Sequence, residues 1–134
     1  MLSIDLGDVR LFLHVLGATV WVGGQLVLLV LVPTLRRLGA DAVTIVARRL
    51  NGVLWIAFGV LIVTGIWNLQ AVDFADQSAQ YQHTVVVKLV VVAISGVAAF
   101  VHLRVTTPRA RAVSGAVTLV AALLALLLGV VIAG

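Results

Sequence analysis

Read from the first residue, the chain alternates between four long apolar stretches and three short polar ones. The apolar stretches run over residues 9–35, 50–69, 84–103 and 112–133. Each is near the ~20 residues that carry a helix across a ~30 Å hydrocarbon core. Within a bilayer only helices and closed barrels satisfy their own backbone groups, and none of these stretches shows the alternation of a barrel strand. The third is rich in β-branched residues (Val85–Val87, Val90–Val92), which favour strands in water. A lone strand would leave its backbone edges unpaired in lipid, so a helix is expected here too. Pro33 is expected to end the first span, and Pro108 falls in the last connection. The pattern predicts an all-α membrane protein: one domain over residues 1–134, a four-helix up-down-up-down transmembrane bundle.

Charge gives the bundle a direction. Of nine Lys and Arg, seven fall in two clusters: Arg36, Arg37, Arg48 and Arg49, then Arg104, Arg109 and Arg111. Four of the five acids (Asp5, Asp8, Asp73 and Asp76) lie at the other ends of the spans. The positive-inside rule places both basic connections in the cytoplasm and both termini outside, in the inner (plasma) membrane of a cell. Composition agrees: 63% hydrophobic, 10% charged, mean hydropathy +1.24, against about 25% charged in a soluble domain. The basic pI therefore reflects topology, and no nucleic-acid partner is expected; the expected surroundings are membrane lipid. With no cysteine and a single methionine, Met1, soft sulfur ligands are missing. The N-terminus carries acids where a signal peptide would carry bases.

A few polar residues interrupt the spans. His14, Trp21 and Gln25 are spaced seven and four apart and share one face of the first helix. Lys88, Ser95 and His102 form a seven-residue stripe on the third. The second carries Thr64, Trp67 and Asn68 toward its outer end. By helical rise, His14 lies ~8 Å and Lys88 ~6 Å below the outer ends of their spans. His14, Lys88, Asn68, Trp67 and His83 are thus expected to converge in the outer half of the bilayer, with Trp21 below them. His102 lies ~27 Å down its helix, too far to share a ligand with His14. Plainer readings exist for most of these residues. His83 and His102 can be interfacial, Trp55 and Trp67 an aromatic belt, Gln25 an interhelical bond and Lys88 a snorkelling cation. His14 is the hardest to read as structural, since an ionisable residue inside a span is a functional candidate by default. Ala121, Ala125, Gly129 and Ala133 recur every four residues, a small-residue seam for close packing or for docking a homo-oligomer or larger membrane complex. No Asp or Glu lies in a span, which argues against hydrolytic chemistry and proton-coupled transport.

The segment L-H-V-L-G-A-T-V-W-V-G-G followed by V-P-T-L-R-R-L, with H-T-V-V-V-K-L-V-V-V opening the third span, resembles the membrane domain of copper resistance protein D (CopD). It is also similar to the HemJ-type protoporphyrinogen oxidases. The resemblance implies a haem b or copper ion at His14, with Lys88 the counterpart of an essential lysine; His83 is a second metal ligand if the third span starts close to the first. Any enzyme activity would then be a haem-dependent oxidoreduction. The alternative is a non-catalytic interaction or assembly subunit.

Overall fold

A computed structural model describes residues 2–134. Four α-helices account for nearly all of it: α1 (Leu6–Leu38), α2 (Ala42–Ala71), α3 (Ala79–Arg104) and α4 (Pro108–Ala133). A single 3₁₀ turn, Phe74–Asp76, lies between α2 and α3. All four helices are long and apolar enough to cross a membrane. The chain is an all-helical, multi-pass membrane protein.

α1, α3 and α4 each start before the apolar stretch that announces them, because their N-termini are capped by side chains. Asp5 and Asp8 form a reciprocal capping box at the start of α1: the Asp8 N–H donates to Asp5 Oδ1 at 2.9 Å and the Asp5 N–H to Asp8 Oδ2 at 3.0 Å. Ser78 Oγ accepts the Tyr81 N–H at α3, and Thr107 Oγ1 accepts the Ala110 N–H at α4. Pro108 is the first residue of α4 and not part of a loop, as suits a ring with no N–H to donate.

The largest departure from the expected boundaries lies between the first two spans. Pro33 does not end α1, which runs five residues further and stops at Gly39. Gly39 has φ +154° and ψ 157°, a backbone conformation open essentially to glycine. A proline costs one helical hydrogen bond, and apolar surroundings favour keeping the rest of the helix intact. Helix α2 begins at Ala42, so Arg48 and Arg49 belong to its second turn rather than to a basic loop. The connection shrinks to three residues.

The helices pair as two compact units, Met1–Val72 and Asp73–Gly134. In the first, α1 and α2 form an antiparallel hairpin. Gly17 faces Ala57 and Leu61, and Gly24 faces Leu50 and Leu54, so later residues of α1 meet earlier residues of α2. Trp21, Val22, Leu54 and Ala57 form its apolar centre. In the second, α3 and α4 form another antiparallel hairpin around Ser95, Gly96, Thr118, Ala121 and Ala122. The Gln82 amide fastens the preceding turn by donating to the carbonyls of Phe74, Ala75 and Gln77 at 3.0–3.1 Å.

Candidate functional site

In the first hairpin the polar face of α1 finds its partners on α2. His14 Nδ1 lies 2.8 Å from Thr64 Oγ1. The Thr64 hydroxyl spends its only proton on the Val60 carbonyl, 2.6 Å away in its own helix. With that proton on Val60 the hydroxyl accepts from His14, whose ring then carries a proton on Nδ1 and, when neutral, its lone pair on Nε2. Thr64 is buried and the ring of His14 half-buried. Gly65, next to Thr64, leaves room for the ring: a Cβ there would stand 3.6 Å from His14 Cε1.

Two turns further along α1, Trp21 is buried in an aromatic cluster with two residues of α2. Its ring centroid lies 4.6 Å from Phe58 and 5.7 Å from Trp55, and the Trp55 and Phe58 rings meet edge-on at 5.7 Å. Gln25 does not bond across helices as expected. Its amide donates at 2.8 Å to the Trp21 carbonyl one turn earlier in the same helix, the shortest route to an acceptor in an apolar setting. Asn68 is half-buried one turn beyond Thr64 in α2, where its carbonyl accepts the Val72 N–H that closes the helix. Trp67 is exposed, and the Arg10 guanidinium sits over its ring at 5.9 Å.

In the second hairpin the Lys88–Ser95–His102 stripe is the seam with α4. Ser95 Oγ donates to the Thr118 carbonyl at 2.9 Å. His102 Nδ1 donates to the Arg111 carbonyl at 2.8 Å and lies 3.2 Å from Ser114 Oγ. Gly115 again makes room for the ring, since a Cβ there would stand 3.2 Å from His102 Cε1. Lys88 is half-buried and lays its ammonium over Gly129, where a Cβ would meet Nζ at 3.1 Å. Gly129 and Ala121 of the expected small-residue seam thus serve packing inside this hairpin. His83 is exposed on the first turns of α3.

Of the expected outer cluster, His14, Thr64, Asn68 and Trp21 belong to the first hairpin, while Lys88 and His83 belong to the second. Ser114 and Thr118, which sequence reasoning passed over, are buried hydroxyls of the second hairpin beside Ser95. Their four-residue spacing on an otherwise apolar helix was the available signal.

Comparison with protein families, curated proteins and solved structures finds no match. The site is therefore read from its own chemistry. Among the described residues no three His, Asp or Glu side chains gather as a metal cluster would need. A haem iron asks the protein for as little as one imidazole.

Proposed function

We propose that this multi-pass membrane protein binds one haem b, with His14 as an axial ligand. The observation that carries the reading is the hydrogen bond from His14 Nδ1 to Thr64, which directs the imidazole lone pair to Nε2. Histidines that ligate metals characteristically donate their other ring N–H in this way, which fixes tautomer and ring orientation. The resemblance of the L-H-V-L-G-A-T-V-W-V-G-G segment to the CopD and HemJ-type families supports the same residue. Bound haem would supply one-electron redox chemistry; this chain's residues would hold it, keep water away and orient the ligand.

A second reading is favoured by His102. It makes the same kind of tie, to Arg111 and Ser114, beside the same kind of glycine. A chain that uses one imidazole as an interhelical clamp can use two, and the protein would then be an interaction subunit whose histidines hold its hairpins together.

The visible spectrum of purified protein separates these readings. Haem binding requires a Soret band that is lost in His14→Ala and kept in His102→Ala. Loss in His102→Ala alone would move the site to the other hairpin. Colourless, iron-free wild-type protein would leave the subunit reading.

A further inference from the structure

The second hairpin carries a furrow in two separate parts, neither of them lined by a histidine. At its open end a recess of about 210 Å³ is lined by the capping residue Ser78, by Gln80, Tyr81 and Thr84 of α3 and by Val131 and Ile132 of α4. Further along lies an apolar groove of about 330 Å³, walled by Val91 and Ile94 of α3 and by Val117, Val120 and Leu124 of α4. At 100° per residue, Thr84, Val91 and Ile94 fall on the same side of Lys88. Recess and groove are therefore two parts of one flank, spanning roughly 20 Å along α3 from Tyr81 to Ile94.

Lys88 sits between the two parts, one turn past Thr84 and one turn before Val91 or Val92. Its ammonium is not turned outward to snorkel; it lies against α4 over Gly129. Neither α3 nor α4 contains an Asp or Glu, so the hairpin has no carboxylate in its spans to balance this charge. A cation held in an apolar hairpin is costly unless a counter-charge comes to it. The furrow has the form of an amphiphile: hydrogen-bonding groups of Gln80 and Tyr81 at one end, one fixed positive charge below them, and an apolar trough beyond.

We propose that this furrow is a binding site for an anionic phospholipid, its headgroup in the Ser78–Thr84 recess against Lys88 and an acyl chain along the Val91–Leu124 groove. A zwitterionic headgroup brings its own cation and leaves the Lys88 charge less well balanced, so the site discriminates by net charge.

Native mass spectrometry of the detergent-solubilised full chain tests this, with dioleoyl phosphatidylglycerol and dioleoyl phosphatidylcholine as probes. The expected result is a Kd at least about tenfold lower for phosphatidylglycerol. Lys88→Gln should bring the two lipids to parity, and Lys88→Arg should keep the preference. Ala116→Phe, which fills the groove and leaves the charge, should weaken phosphatidylglycerol binding as well. Inorganic phosphate at equal concentration should not displace the lipid. Equal binding of both lipids by wild type, or an undiminished preference in Lys88→Gln, would overturn the proposal. Displacement by phosphate would overturn it too, by showing a site for a soluble anion. If Lys88→Gln does not fold, Ala116→Phe decides alone: unchanged phosphatidylglycerol affinity there refutes the groove.

Discussion

At the scale of single residues, His14, Ser95 and His102 each take a polar partner on the neighbouring helix. His14 and Thr64 show how. Thr64 accepts from His14 only because its own proton is committed to Val60. Thr64→Val keeps the shape and removes the acceptor. Interhelical hydrogen bonds in membranes average about 0.6 kcal/mol and reach about 1.7. Thr64→Val should therefore lower hairpin stability by about 1 kcal/mol in a detergent unfolding titration, and Thr64→Ser should restore it. The same variant should release the His14 tautomer. ¹⁵N spectra of labelled protein should show a single Nδ1–H form in wild type and a mixture in Thr64→Val. A mixture already present in wild type would remove the basis for His14 as an oriented ligand. That His14 matters was legible in the sequence, as an ionisable residue inside a span. Which hydroxyl holds it was only partly so, because Thr64 and Asn68 share one face of α2 and differ in reach.

At the scale of elements, the two hairpins rest on close approach at glycine. Gly17, Gly23 and Gly24 look alike in the sequence, and their surroundings differ. A Cβ at Gly17 would stand 3.1 Å from the Ala57 carbonyl oxygen and 3.4 Å from the Leu61 backbone nitrogen, neither of which can swing aside. At Gly24 the near atom is the flexible Leu54 Cδ2, and at Gly23 nothing lies within 4 Å. Gly17→Ala should cost about 1–3 kcal/mol through overpacking. Gly23→Ala should gain up to about 1 kcal/mol, since alanine is the better helix former. Thermal unfolding in detergent should order the variants Gly23→Ala, wild type, Gly17→Ala, from most to least stable. Equal stability of the two variants would mean that α1 and α2 do not approach at Gly17. The same contrast explains the stripe on α3. Its seven-residue period marked a face, and the structure shows that the face is the seam with α4, bonded at Ser95 and His102.

At the scale of the whole molecule, the charge pattern makes the boldest statement. Seven of nine basic residues lie at the ends of helices that the positive-inside rule assigns to the cytoplasm, with Arg10 and Lys88 the exceptions. A C-terminal alkaline phosphatase fusion should therefore be active and a C-terminal GFP fusion dark. A bright GFP fusion would invert the orientation and bring His14 to the cytoplasmic half. Because Arg48 and Arg49 ride on α2, their charges belong to the first turns of a helix, and the turn between α1 and α2 is only three residues long.

The hydrophobic pattern by itself determined that this is a membrane protein of four helices, because lipid leaves only helices and closed barrels, and these stretches lack the alternation of a barrel strand. It also singled out His14, Lys88, Ser95 and His102, because a polar group is conspicuous in so apolar a chain. Helix ends were less legible. Capping by Asp5, Ser78 and Thr107 extends α1, α3 and α4 into polar sequence that hydropathy does not count, and Pro33 interrupts a helix without ending it. Only the tertiary structure decided which partner each polar group takes. Gln25 turned to its own helix, His14 to Thr64, His102 to Arg111 and Ser114, and Lys88 to the notch at Gly129. Sequence spacing puts residues on a face; the rotation and register of two packed helices, set by where glycine lets them touch, choose the atoms that meet.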